Sequence, residues 1–283
     1  MMREFLKYHS LGNDFVIIDW FKRPESYLQS FLQHEAWPAW VKQVCTRHTG
    51  VGADGVLIVR GNIEAGVPEI IVYNADGSLG QTCLNGLRAV AHYLVEYWRL
   101  PVSLTIKMGQ RLYSCEVGEK DYQDSSRLIT TRMQVASVQD ELVLAIQEEK
   151  FIGTRVSIGN PHYILLRSID MPFLQKFGPF LESHTAFPDR TNVEFVWQDC
   201  HQDDLFHLLV YERGCGITNA CSSGAAATLG LLYTRGILPP DKKITIAMPG
   251  GQVIGWISGE DVYLQARSVE VFSGVLAQKA HIR

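Results

Sequence analysis

The sequence predicts an α+β protein of two pseudo-symmetric lobes, each a strongly curved, mostly antiparallel sheet or barrel around one central helix. Three observations lead there. The chain repeats itself over a long, degenerate period. Strand-like segments outnumber helical ones. One helical segment in each half begins at a cysteine and is largely apolar.

The repeat rests on three matches in the same order. Leu11-Gly12-Asn13-Asp14-Phe15-Val16-Ile17 resembles Ile158-Gly159-Asn160-Pro161-His162-Tyr163-Ile164. Cys83-Leu84-Asn85-Gly86 resembles Cys221-Ser222-Ser223-Gly224, and Thr105–Gln110 resembles Thr245–Gln252. Runs of β-branched and aromatic residues predict strands at Phe15–Asp19, Val56–Val59, Glu69–Tyr73, Ser103–Lys107 and Leu112–Cys115. The second half offers Lys243–Met248, Gln252–Ile257 and Val262–Gln265. Glu35–Arg47 reads as a helix interrupted near Pro38. Leu84–Trp98 has apolar residues at Leu84, Leu87, Val90, Ala91, Leu94, Val95 and Trp98, which is helical spacing. Its counterpart, Cys221–Thr234, carries almost no charge, as a helix buried on every side would. The polar turn formers of Gly118–Ser126 suggest the junction. The expected lobes are residues 1–120 with 268–283, and residues 121–267. The unmatched tail from Ser268 is expected to return to the first lobe.

Composition narrows the class. Hydrophobic residues make up 46% and charged residues 20%, with a net charge of -4, so no basic footprint for nucleic acid is present. Apolar runs such as Phe15–Ile18 are far too short to span a bilayer, and the first residues lack the apolar stretch of a secretory signal. A cytoplasmic protein acting on a small molecule is expected, with no nucleic-acid or membrane partner. Of six cysteines, no pair has metal-site spacing. Cys45, Cys115 and Cys200 read as small buried hydrophobes.

Cys83 and Cys221 read differently. Each follows a glycine-rich turn, Gly77–Thr82 or Gly214–Ala220, and each opens a helix. The first turn of a helix presents backbone N–H groups and the positive end of the dipole. A thiol there is expected to fall from roughly 8.5 toward neutrality, and a carboxylate can dock on the N–H groups. Two such helices facing each other would hold an α-carboxylate between them, with a thiol and a thiolate on opposite faces of the α-carbon. That suits stereoinversion: one sulfur removes a proton and the other returns one. Charge developing on the carboxylate is stabilised by fixed N–H donors.

At these residues the sequence resembles the diaminopimelate epimerase family over nearly its whole length. The motifs are Leu11–Phe15, Gly50–Asp54, Asn74–Ser78 with Cys83 and Asn85-Gly86, Gly159–His162, Asn192, Tyr211–Gly214, Ala220-Cys221 with Ser223-Gly224, and Pro249–Gly251. The resemblance implies that Cys83 and Cys221 are the acid/base thiols, with His162 and Glu212 setting their protonation. It implies that Asn13, Asn74, Asn160, Asn192 and Arg213 hold the substrate. Leu84, Asn85, Gly86, Ser222 and Ser223 in the helix starts, with Glu212, complete the binding set. The implied reaction converts LL-diaminopimelate to the meso form without pyridoxal phosphate or metal, in a homodimer serving lysine and peptidoglycan-precursor synthesis. A distal carboxylate suits the Arg213 fork.

The sequence departs from the family pattern at four places. Leu84 and Ser222 stand where glycine is usual, Gly55 where glutamine is common, and Ile217 where glutamate is usual. Leu84 is expected to crowd the carboxylate site. A same-fold racemase of proline, hydroxyproline, glutamate or histidine is therefore the first rival reading. A cysteine hydrolase pairing one cysteine with His162 is more remote, since it leaves the second cysteine unexplained.

Overall fold

The computed structural model describes residues 3–21, 34–61, 66–80 and 82–276. These form two compact units, one from residues up to Thr131 together with Arg267 onward, the other from Arg132–Ala266. The passage from the first to the second lies inside a strand, beyond the Gly118–Ser126 turn that composition marked.

In the first unit, β1 (Arg3–Ser10) and β2 (Asn13–Asp19) form an antiparallel hairpin. Its two-residue loop, Leu11-Gly12, has φ of 56° and 73°. Two consecutive left-handed residues match the twist of paired strands, and glycine adopts that conformation without steric cost. Next come α1 (Trp37–Cys45), β3 (Gly55–Arg60), β4 (Glu69–Asn74), α2 (Leu84–Trp98), β5 (Ser103–Met108), β6 (Arg111–Asp121) and β7 (Ser126–Gln134). The strand path β1-β2-β3-β4-β5-β6-β7 continues to β16 (Asp261–Leu276), and β16 pairs back onto β1 with Arg3 opposite Leu276. The path thus closes on itself as an eight-stranded barrel, leaving no unpaired edge among the described residues.

The barrel wraps α2, whose residues from Leu84 to Val95 are all buried. Burying each of Leu87, Val90 and Leu94 contributes roughly 1.5–3 kcal/mol. The helix stops at Arg99, which turns left-handed at φ 53°, just before Pro101. Helix α1 differs from expectation. Pro38 does not interrupt it but lies in its first turn, where the missing N–H has no partner to lose. The helix is accordingly shorter than Glu35–Arg47.

The second unit contains β8 (Ser137–Ile146), β9 (Glu149–Ser157), β10 (Pro161–Leu165), α3 (Met171–Glu182), β11 (Asn192–Gln198), β12 (Leu205–Glu212), β13 (Gly216–Ile217), α4 (Ser222–Thr234), β14 (Ile244–Met248) and β15 (Gly251–Ser258). Its path is β8-β9-β10-β11-β12-β14-β15 and then the first residues of β16, with β13 attached to β12. Helix α4 is buried from Ser222 to Leu232 and packs on β8, β9, β10, β11 and β15.

The pairing sense shows the repeat directly. In the first unit β1–β2, β3–β4 and β5–β6 are antiparallel, while β2–β3 and β4–β5 are parallel. In the second, β9–β10, β11–β12 and β14–β15 are antiparallel, while β10–β11 and β12–β14 are parallel. A parallel pair needs a crossover, and in every case a helix supplies it: α1, α2, α3 and α4 in turn. The two buried central helices are therefore the crossovers β4-α2-β5 and β12-α4-β14. Among the described residues no helix is long and apolar enough to cross a membrane.

Candidate active site

Cys83 is the N-cap of α2, and its sulfur accepts the Gly86 N–H at 3.3 Å. Cys221 is the N-cap of α4, and its sulfur accepts the Gly224 N–H at the same 3.3 Å. The N-cap position is extended in both, as a cap requires. Both bonded glycines sit where a side chain would collide. At Gly86 a Cβ would stand 3.0 Å from Leu57 and 3.2 Å from the Cys83 sulfur. At Gly224 it would stand 2.7 Å from Oε1 of Glu194.

Around Cys83, the turn from β4 into α2 is locked by side chains. Asn74 donates to the Ser78 hydroxyl at 2.9 Å, and Asp76 accepts both the N–H and the hydroxyl of Ser78, at 2.9 and 2.6 Å. Gly77 there is left-handed at φ 87°, with Pro38 2.5 Å from where a Cβ would stand. Gln81 of this turn lies outside the described residues. Asn13, at the start of β2, accepts from Asn85 at 3.2 Å and donates to Asp54 at 2.8 Å. The first turn of α2 is thus tied to the β1–β2 hairpin. Asp54 and Asp14 share Arg47, and Lys7 also pairs with Asp14. Burial pulls the Asp14 carboxyl up, but bonds from Arg47 and Lys7 outweigh it and bring it down to about 2. Buried Arg88 donates to Ser10 at 2.9 Å and to the Asn85 side chain. Burial lowers this guanidinium to about 10, with Cys83 and Cys115 acting in the opposite direction.

Around Cys221, three adjacent strand ends converge. His162 lies opposite Asn192 in the β10–β11 pair, and Val193 opposite Tyr211 in β11–β12. The ends therefore carry Asn160 and His162, Asn192 and Glu194, and Glu212 and Arg213. Asn192 donates to the Pro161 carbonyl at 2.9 Å and accepts the Arg213 N–H at 3.0 Å. Asn160 reaches the Ser223 hydroxyl at 3.4 Å, and that hydroxyl is 3.3 Å from the Cys221 sulfur. Glu212 accepts from Thr218. The Gly250 N–H donates to the Asn219 carbonyl at 2.7 Å, which is how the Pro249-Gly250-Gly251 motif bears on the loop entering α4.

The electrostatics correct one expectation. The helix N-terminus does not bring Cys221 toward neutrality. Burial first, then the carboxylates of Glu212 and Glu194, push this thiol well above its ordinary value. Removal from water likewise raises Glu212 to about 7. A helix terminus acts within one turn and is outweighed by loss of hydration plus two like charges. One further expectation needs amendment. Cys200 is exposed, although Cys45 and Cys115 are buried and pushed up to about 12 by that burial. Leu84 is buried, only 2% exposed, in the first turn after Cys83. Gly55 starts β3 with the Tyr73 carbonyl 2.5 Å from where a Cβ would stand, which accounts for glycine there. Ile217 is exposed and lies opposite Tyr211.

Sequence reading passed over Glu194. It is fully buried, and its Oε1 lies 2.6 Å from Nδ1 of equally buried His162. The signal was present: an acidic residue between Val193 and Phe195 in an apolar run is costly unless paired. Arg88 carried the same signal on the apolar helix α2.

These two units, alike in pairing order and each with a cysteine capping its central helix, have the two-lobed fold of amino-acid epimerases and racemases. The structure matches a hydroxyproline epimerase from Agrobacterium vitis with a TM-score of 0.75 at 12% identity, covering 97% of this chain and 91% of that one. It matches a probable proline racemase from Agrobacterium radiobacter with a TM-score of 0.76, again at 12% identity, covering 99% and 94%. Likeness at that identity concerns the fold alone. Sequence similarity goes further. The family model for diaminopimelate epimerase matches residues 5–124 and 154–265. Diaminopimelate epimerase of Carboxydothermus hydrogenoformans is 35% identical over 280 residues, covering 96% of this chain and 98% of the relative. That of Synechocystis sp. is 33% identical, covering 97% and 99%. The chain belongs to the diaminopimelate epimerase family.

Proposed function

We propose that the protein interconverts LL- and meso-diaminopimelate by two-base proton transfer, with Cys83 and Cys221 as the two acid/base thiols. The observation that carries this reading is the duplicated cap: in each unit a cysteine sulfur accepts a glycine N–H at 3.3 Å at the head of a buried crossover helix. One sulfur takes the α-proton as a thiolate, and the other gives a proton to the opposite face. The first turns at Leu84–Gly86 and Ser222–Gly224 would receive the α-carboxylate through backbone N–H groups, where negative charge builds as the α-proton leaves. Arg213 would grip the distal carboxylate, with Asn13, Asn74, Asn160 and Asn192 completing the polar lining. Asn74 already serves its own turn through Ser78, and Asn192 is engaged by Pro161 and Arg213. Glu212 beside Cys221 would take part in proton exchange near pH 7.

The choice of diaminopimelate over proline or hydroxyproline is supported by sequence relatives at 31–35% identity over nearly the whole chain. We also propose a cytoplasmic homodimer serving lysine and cell-wall precursor synthesis, as the family resemblance of the sequence implies. The test is α-proton exchange in deuterium oxide over a panel of diaminopimelate isomers, proline, hydroxyproline, glutamate and histidine. Deuterium should enter diaminopimelate with inversion. Exchange confined to another member of the panel overturns the substrate.

A further inference from the structure

The two units repeat each other, yet the atoms packed against their capped helices differ in charge. Asn192 lies opposite His162 across the parallel β10–β11 pair, as Gly55 lies opposite Phe15 across β2–β3. Counting along the strands makes Glu194 the counterpart of Leu57, and His162 the counterpart of Phe15. The contacts agree. The atoms nearest a Cβ built at Gly86 are those of the Leu57 side chain, at 3.0 Å. At Gly224 they are Oε1 and Cγ of Glu194, at 2.7 and 3.0 Å. An apolar pair under α2 is thus replaced by a buried His–Glu pair under α4. On the helices the asymmetry runs the other way: Arg88 stands five residues after Cys83, and Ala226 five residues after Cys221.

We propose that Glu194 is the resident anion of the α4 N-terminus and thereby holds Cys221 as a thiol in the substrate-free protein. The positive end of a helix stabilises one nearby negative charge. Glu194 lies against that first turn, with Oε1 2.6 Å from Nδ1 of His162, and a thiolate at Cys221 would add a further negative charge to the same dry space. The groups facing Cys221 are Glu212 from β12 and Glu194 from β11, with His162 of β10 bonded to Glu194 and the Ser223 hydroxyl on the helix itself. Oε2 of Glu194 and Nε2 of His162 have no hydrogen-bond partner among the described residues. Glu194 touches no reacting atom in this scheme. It is a positioning residue that makes Cys221 the proton donor at the outset and leaves the base role to Cys83, and in that respect the assignment rests on the two-thiol reading above.

The test follows the Cβ resonance of Cys221 in protein labelled with 13C at cysteine Cβ, assigned by its loss in Cys221→Ser, and titrates it without substrate. In the wild type the midpoint should lie above the ordinary thiol value of roughly 8.5. In Glu194→Gln it should fall by about one unit or more, as loss of a nearby like charge dictates. An unmoved midpoint in the folded variant overturns the proposal. Should Glu194→Gln not fold, Glu194→Asp draws the carboxylate back from the helix. The midpoint then falls by less, and an unmoved midpoint again counts against the role. Since the titration needs no substrate, a shifted midpoint in a protein inert toward diaminopimelate would sink the substrate reading while sparing this one. Full epimerase activity with an unmoved midpoint would do the reverse.

Discussion

The side-chain oxygen of Asn192 accepts the backbone N–H of Arg213 at 3.0 Å, so the first residue of β11 fixes where the residue after β12 begins its side chain. Asn192 is itself anchored to the Pro161 carbonyl. Arg213 also donates from its guanidinium to the Asp189 carbonyl at 3.3 Å. The guanidinium therefore leaves a braced backbone, a good platform for gripping a carboxylate.

Arg213→Lys should lower the specificity constant for diaminopimelate at least about tenfold, because a bond to a charged group contributes roughly 1.5–3 kcal/mol and lysine cannot reproduce the planar fork. Thermal unfolding should be unchanged. Steady-state kinetics on diaminopimelate and on an amino acid without a distal carboxylate separate the two effects. Equal performance of variant and wild type would reopen the identity of the substrate.

Cys83→Ala and Cys221→Ala should each abolish stereoinversion, since each face of the α-carbon needs its own proton carrier. The serine variants should retain traces, a hydroxyl being a far poorer base than a thiolate. Chiral separation of products over time measures this. Full activity in either alanine variant rules out the two-thiol scheme.

Gly224→Ala should destabilise the protein, although alanine ordinarily favours a helix over glycine by up to about 1 kcal/mol. The added Cβ meets Glu194 at 2.7 Å, and overpacking of that kind costs about 1–3 kcal/mol. Gly86→Ala should cost less, because Leu57 methyls at 3.0 Å can yield. Denaturant unfolding of the two variants side by side checks the order, and the reverse order would contradict the packing described.

Glu212 makes a pH prediction of unusual sign. Its folded value is raised to about 7, while the unfolded chain ionises near 4.5. Between those values the folded state holds the extra proton, so stability attributable to Glu212 is present at low pH and lost as pH rises from about 4.5 to about 7. Glu212→Gln should flatten that part of the stability curve. A wild-type curve that rises through the window no less than the variant's would contradict the assignment.

Much of this was legible in the sequence because it depends on local pattern. Leu84–Trp98 has helical spacing and ends as expected, and the two cysteines fall at helix heads because glycine-rich turns precede them. Strands β1 and β7 to β13 were not among the predicted segments, and β7 and β8 show why. Ser126–Gln134 carries Arg127 and Arg132, and Ser137–Ile146 opens with Gln139, Asp140 and Glu141, so their alternation is blurred by charge. Helix α3 was missed although Asp170 caps it and Pro172 opens it, since Gly178 and Pro179 spoil its interior. The protonation of Cys221 could not be read at all. It depends first on loss of hydration that only the fold creates, and then on the carboxylates of Glu212 and of Glu194, the latter distant in sequence.

The strand β16 gives the molecule an order of assembly. Arg3 of β1 pairs with Leu276 of β16, and every residue of the second unit lies between them in the chain. During synthesis the first unit begins to emerge before the second but cannot shut its barrel until β16 has been made. Until then β1 and β7 are open edges, the kind of exposed backbone that invites wrong pairing. The second unit needs only the opening residues of that strand to finish. The half of the protein that is made first is thus the half that closes last, and its closure is the slow, non-local step that a contact of such sequence separation implies.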